Sequence, residues 1–175
     1  MAALRLSVAF GLILGLAPPA LAKPPAPQSA EFLEILDVGL YCRPPVERTE
    51  EAPGTTLGYV NLTVGAPEIL YSQQQVPATL GVSFGLIFVS DETILDARME
   101  THRPGAETPD IWYSNLFAGS SSSRGFTFEF EEELRLGRWR LEAWEEERLV
   151  YRVEFDVVPA GEAPGNTADH CNPMS

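Results

Sequence analysis

The chain has 175 residues, 12 basic against 25 acidic side chains, a formal net charge of −13, and 45% hydrophobic residues. Such acidity repels phosphate backbones and anionic lipid surfaces, which argues against nucleic acid and the membrane surface as partners. Two cysteines and two histidines leave little material for a metal centre or a histidine-assisted nucleophile.

Residues 1–22 read as a removable export signal. Arg5 is the lone charge, Leu6 to Leu16 supply a short apolar run, and Ala20 and Ala22 place small residues at the third and first positions before a cut. Processing makes Lys23 the new N-terminus and leaves 175 − 22 = 153 residues, enough for one domain with a substantial core. The formal charge becomes 11 − 25 = −14 once Arg5 is lost. No later stretch reaches the roughly 18 apolar residues of a spanning helix, so the mature chain is expected to be soluble, periplasmic or extracellular.

Residues 23–30 form a proline-rich tether and residues 161–175 a similar tail, both expected to be loose. In an oxidising compartment Cys42 and Cys171 are most simply a disulfide, which pins that tail to the first long strand. His170, Cys171 and Met174 are the ligand types of a soft copper site, a reading weakened by their crowding into five residues.

Between tether and tail, glycine and proline recur too often for long helices, and alternation marks strands over 32–41, 58–64, 68–75, 80–89, 98–103, 111–117, 126–131, 138–144 and 149–158. Residues 91–100 fit a short helix or a strand about equally, and the serines at 120–123 read as a flexible loop. Phe126, Phe128 and Phe130 share one face of their strand.

The last two strands fix their own register. Setting Leu141 opposite Val153 keeps both apolar sets on one face, pairs Glu142 with Arg152 and Arg140 with Glu154, and leaves residues 146–148 as the loop. The next allowed register opposes Arg140 to Arg152, a like-charge pair costing a few tenths to about 1 kcal/mol. In this reading Trp144 stands opposite Val150 on the nominally polar face, while Trp112 and Tyr113 point to opposite faces of theirs. These four residues are the candidate interaction surface.

No zinc, phosphate-loop or calcium-loop motif is present, no cofactor is expected, and the Asn61-Leu-Thr63 glycan pattern is assigned no role. Plentiful acids leave open a hydrolase acting through two carboxylates in one cleft.

Val76-Pro77-Ala78, Gly81 and Phe84-Gly85, followed by Gly137-Arg-Trp139 and Phe155-Asp-Val157, resemble the signature of a bacterial exported family, domain of unknown function 3859. The resemblance covers most of residues 33–158 and implies a fold rather than an activity. Near His102-Arg103-Pro104 this chain has an insertion, and Glu147 replaces the family's turn glycine. The expectation is an all-β protein: a single immunoglobulin-like antiparallel β-sandwich over 31–160 that binds an unknown protein or envelope component. The alternatives are an envelope-polymer hydrolase and a tail-based metal-binding protein.

Overall fold

The computed structural model describes residues 23–171 apart from Val64 and Asp169; the expected signal, residues 1–22, and Met174 lie outside the described residues. The short windows between turn residues become strands: β1 (Gln28–Ser29), β2 (Leu33–Tyr41), β3 (Val46–Glu51), β4 (Tyr59–Thr63), β5 (Ile69–Tyr71), β6 (Gln75–Pro77), β7 (Ser83–Ser90), β8 (Ile94–His102), β9 (Asp110–Leu116), β10 (Ser121–Thr127), β11 (Gly137–Glu145) and β12 (Arg148–Val158). Among the described residues, helix is confined to a 3-10 turn at Glu131–Glu133, and no helix is long and apolar enough to cross a membrane.

One sheet runs β1-β12-β11-β8-β9, with β6 added to β12 in parallel, and a second runs β10-β7-β2-β5. Alternation on each puts one face inside. Phe84 of β7 meets Phe155 at 4.9 Å between ring centroids and Trp139 edge-on at 5.8 Å, which joins the two sheets. Phe84, Phe128, Trp139 and Phe155 are fully buried. Such ring pairs contribute about 0.5–1.5 kcal/mol each beyond their burial. The only hydrogen-bonding group on these rings, Trp139 Nε1, donates to the Arg135 carbonyl at 2.8 Å. The protein is therefore an all-β sandwich of two packed, mainly antiparallel sheets.

The signature segment has a packing role. Val76 pairs with Val157 across the parallel β6–β12 contact. Gly85 stands opposite both Gly39 and Gly125, and a Cβ on it would collide with the Arg124 carbonyl. Gly81 turns the chain into β7 at φ +83°, a conformation that L side chains rarely adopt.

The β11–β12 register is the one read from the charges: Leu141 faces Val153, Glu142 faces Arg152 and Arg140 faces Glu154. The hairpin tip departs from expectation. A bulge after Ala143 sets Trp144 opposite Leu149 and Glu145 opposite Arg148, so the turn is the two residues Glu146 and Glu147, with Glu146 at φ +52°. Val150 is the extra residue; it is fully buried, which removes it from any surface patch with Trp144.

Other departures have physical causes. The serine cluster is strand: Ser121, Ser122 and Ser123 pair with Val89, Phe88 and Ile87, and β10 ends at Thr127, leaving Phe130 exposed. Residues 94–102 are strand rather than helix because β8 lies between β9 and β11. The stretch 68–75 splits into β5 and the start of β6, which join different sheets. All six residues of β3 are exposed, and without buried alternation the strand gave no signal.

Neither terminus of the described chain hangs free. Pro24 is buried, Gln74 Nε2 donates to the Pro25 carbonyl at 3.0 Å, and β1 pairs with β12. In the tail Thr167 is fully buried, and Gly165 packs so closely on the Tyr71 ring that a Cβ would clash. Cys42 and Cys171 form a disulfide with Cα atoms 5.1 Å apart across 129 positions of sequence. Closing a loop of that length removes about 5 kcal/mol of unfolded-state entropy in the chain-entropy account. Replacing both cysteines by alanine is expected to lower stability by about 2–5 kcal/mol in denaturant titrations, with the fold retained. A loss below about 1 kcal/mol would mean that the tail's own packing does this work.

Candidate functional site

The outer face of the larger sheet gathers charges from β8, β11 and β12. Glu142 is 2% exposed and accepts from Arg152 Nε, from Trp144 Nε1 at 3.2 Å and from His102 Nε2 at 3.2 Å, with Arg140 Nε 2.9 Å away. Glu100 accepts from Arg98 Nε at 2.8 Å and lies 2.9 Å from His102 Nε2. Burial by itself pushes the Glu142 carboxyl up. The bonds from Arg152 and Trp144 and the charges of Arg140 and Arg152 outweigh it and hold the carboxyl below the ordinary glutamate range.

Glu100, His102 and Glu142 bring their ligand atoms within 4.8 Å of one another, the kind of grouping that holds a metal or pairs two acids for hydrolysis. Here the chemistry argues otherwise. Arg98, Arg140 and Arg152 already occupy the two carboxylates, so a dication or a general acid would enter a site with one more positive than negative charge. The cluster is an ion-pair network that lies flat on the sheet.

A different feature offers room for a ligand. The β3–β4 hairpin leaves the end of β2 in one sheet and reaches β9 in the other. Its tip docks there through Ile111 N to the Gly54 carbonyl at 2.9 Å and through Thr56 N and Oγ1 to Asp110 Oδ1 at 2.9 and 2.8 Å. Arg103 Nη2 braces the same carboxylate at 3.0 Å. Beneath this roof runs a groove of about 430 Å³ lined by β4, β10, Trp112 and Arg103. That size falls in the range of about 300–1,000 Å³ typical of small-molecule sites.

Four of the chain's 12 basic residues line the groove: Arg43, Arg48, Arg103 and Arg124. Arg43 pairs with Glu129, Arg48 with Glu50 and Arg103 with Asp110. Arg124 has no carboxylate within salt-bridge reach among the described residues, and desolvation pulls its proton affinity down. Tyr41 closes the floor; its burial raises the phenol, and its hydroxyl fills the space that a Cβ on Gly125 would need.

The expected surface residues separate. Trp112 is half-buried and lines the groove, whereas Tyr113 is 62% exposed on the opposite face. Trp144 is half-buried, with Arg98 5.8 Å from its ring centre. It belongs to the ion-pair network rather than to an apolar patch. The tail reading loses its thiol to the disulfide, and His170 Nε2 lies 3.0 Å from the Tyr71 hydroxyl. Sequence reading missed the groove because its roof, β3, is all exposed and its wall, β10, resembled a loop.

Two outcomes follow from these geometries. Because Glu142 is held low when folded, it adds stability above its unfolded value, near 4.5, and that contribution is lost as pH falls through the lowered value. Glu142→Gln is expected to be less stable than the parent at pH 7 and to show a smaller drop in melting temperature between about pH 5 and pH 3. Asp110→Ala is expected to free the hairpin tip, raising amide exchange over 52–63 roughly tenfold while the β7 and β12 amides stay protected. Uniform exchange across the chain would instead show that the tip holds the whole sandwich.

The family described as Domain of unknown function (DUF3859) matches residues 29–157, a span that contains every groove-lining residue. No curated protein matches the chain. Among solved structures, an immunoglobulin-like protein from Pseudomonas aeruginosa, whose crystal structure was determined at 1.50 Å, is similar at 18% identity with a TM-score of 0.48. The similarity covers 77% of this chain and 98% of that one. With its family span reaching from β1 to the end of β12, the chain belongs to the DUF3859 family.

Proposed function

We propose that this protein is an exported binding domain whose ligand occupies the groove beneath the β3–β4 hairpin. The observation that carries the reading is the groove itself: a recess of small-molecule size between two sheet edges, roofed by a hairpin anchored at its tip. Export is supported by the signal-like first 22 residues and by a disulfide that an oxidising compartment would maintain. An envelope component is the natural partner for a molecule delivered there.

Binding is favoured over hydrolysis because three of the four carboxylates that line the groove are engaged, which leaves the exposed Glu47 without a second free acid to work with. Glu129 holds Arg43, Asp110 holds Arg103 and Thr56, and Glu133 Oε2 accepts the backbone N–H groups of Glu129 and Phe130 at 2.7 and 3.0 Å. A glycosidase needs one protonated and one free carboxyl facing the scissile bond.

Two measurements test the proposal. N-terminal sequencing of protein released by osmotic shock is expected to begin at Lys23, and retention in the cytoplasm would sink the export reading. Nitrogen-15 NMR of the mature chain, titrated with soluble envelope glycan and peptide fragments, is expected to shift amides of β4, β9 and β10. Tyr59→Ala, on the groove wall, is expected to weaken that binding at least fivefold. Binding indifferent to Tyr59 and mapped to another face would remove the groove from consideration.

A further inference from the structure

The chemistry of the groove narrows what it can hold, an inference that rests on the binding reading above. Arg124 stands opposite Leu86 in the β10–β7 register, so an arginine occupies an inward position on an edge strand. Its Nη1 donates to the Ser123 carbonyl at 2.7 Å and its Nη2 to Ser114 Oγ at 3.0 Å and the Asn115 carbonyl at 3.4 Å. Its guanidinium carbon lies 5.7 Å from the centre of the Trp112 ring. These partners are all neutral, and the Arg124 Nε is buried without an acceptor among the described residues. The Nε of neighbouring Arg103 is in the same position.

Lys23 and Arg135 also lack a carboxylate partner, but both are exposed and water solvates them. Arg124 is half-buried with its Nε shut off from water, so solvent compensates its charge only in part. Drawing a cation from water without a counter-ion opposes folding, and a leucine or methionine could have closed the same edge without that cost. An inward guanidinium that lacks an acid and lines a groove has the chemical form of half an ion pair whose other half is a ligand. A carboxylate matches a guanidinium in geometry as well as charge.

The rest of the lining indicates what carries the carboxylate. Thr101, Ser122 and Ser123 line the groove with hydroxyls that have no hydrogen-bond partner among the described residues. Trp112 and Tyr59 supply aromatic surface beside them. Free hydroxyl partners, aromatic rings and the one lining arginine that lacks an acid suit a sugar ring bearing a carboxylate, with the exposed Glu47 of β3 the one lining acid that has no hydrogen-bond or salt-bridge partner among the described residues. A peptide terminus would make little use of the hydroxyls. We infer that the groove binds an acidic saccharide of the uronate class, with Arg124 receiving the carboxylate.

The test uses the oxidised mature chain and three probes: digalacturonic acid, its neutral dimethyl ester, and acetyl-dialanine as a peptide carboxylate. Digalacturonic acid is expected to shift the amides of 101–112 and 121–127, to bind at least tenfold more tightly than the ester, and to outbind acetyl-dialanine. Arg124→Gln is expected to lose at least tenfold in affinity for the acid while melting at the parent's temperature or higher.

Equal binding of ester and acid within the groove would overturn the carboxylate contact while leaving the groove reading intact. Tighter binding of acetyl-dialanine would replace the saccharide by a peptide terminus. Shifts confined to another face would sink both readings, and no groove shift with any probe would overturn this one. An Arg124→Gln chain that melts well below the parent yet binds unchanged would assign Arg124 to structure alone.

Discussion

The disulfide sets the position from which the groove is built. Cys42 follows the last residue of β2, and four residues later the chain enters β3, the first half of the hairpin that forms the roof. Tying Cys42 to the tail fixes the takeoff point of the hairpin, and Arg43, bonded to Glu129, fixes the next residue against the end of the opposite wall. The tail in turn is held by Thr167 in the interior and by Gln73 Nε2 on the Gly165 carbonyl at 3.1 Å. The roof is therefore anchored at both ends, covalently at its base and by Asp110 at its tip. A hairpin with six exposed residues in one strand has too little apolar surface to hold such a position by itself.

Two poorly hydrated charges in this molecule obey opposite logic. Glu142 is withdrawn from water on the outer face of its sheet, and four cationic or polar side chains, Arg140, Arg152, Trp144 and His102, converge on it. Removing a partner there would leave a desolvated charge, which is why such networks are rigid and costly to break. Arg124 is set inward with neutral partners only. A network that satisfies its members explains itself by stability, whereas a desolvated group that lacks its counterpart does not. The contrast inside one chain is the reason the groove, and not the denser cluster of acids and histidine, carries the functional reading.

How much of this was legible in the sequence depends on which physical signal each segment carried. The β11–β12 pairing was readable because apolar alternation and charge complementarity agreed on one register, and the structure has that register from Gly137 to Ala143. The bulge beyond it left no trace in alternation, since a bulge is a local insertion into an otherwise regular pattern. That single insertion took Val150 from the surface to the core and with it the expected patch. For β10, Ser122, Arg124 and Phe126 do alternate inward. Serine and arginine do not read as core, so the strand looked like a flexible loop. The functional wall was hidden by the very residues that make it polar.

The groove also answers a topological problem. β9 and β10 are outer strands of their sheets, and each would otherwise present a row of unpaired backbone groups to solvent. Completing either sheet with another strand would bury that edge and leave no recess. This chain uses a hairpin that belongs to neither sheet and is hydrogen-bonded to β9 at Asp110 and Ile111. Across the gap, the Arg124 side chain crosses to the Ser114 hydroxyl and the Asn115 carbonyl, a contact between the two edges made by one cation rather than by a backbone ladder. The edges are shielded without being paired. Space remains between them, walled by hydroxyls, rings and a guanidinium, and the same incomplete closure that protects the edges is what makes room for a ligand.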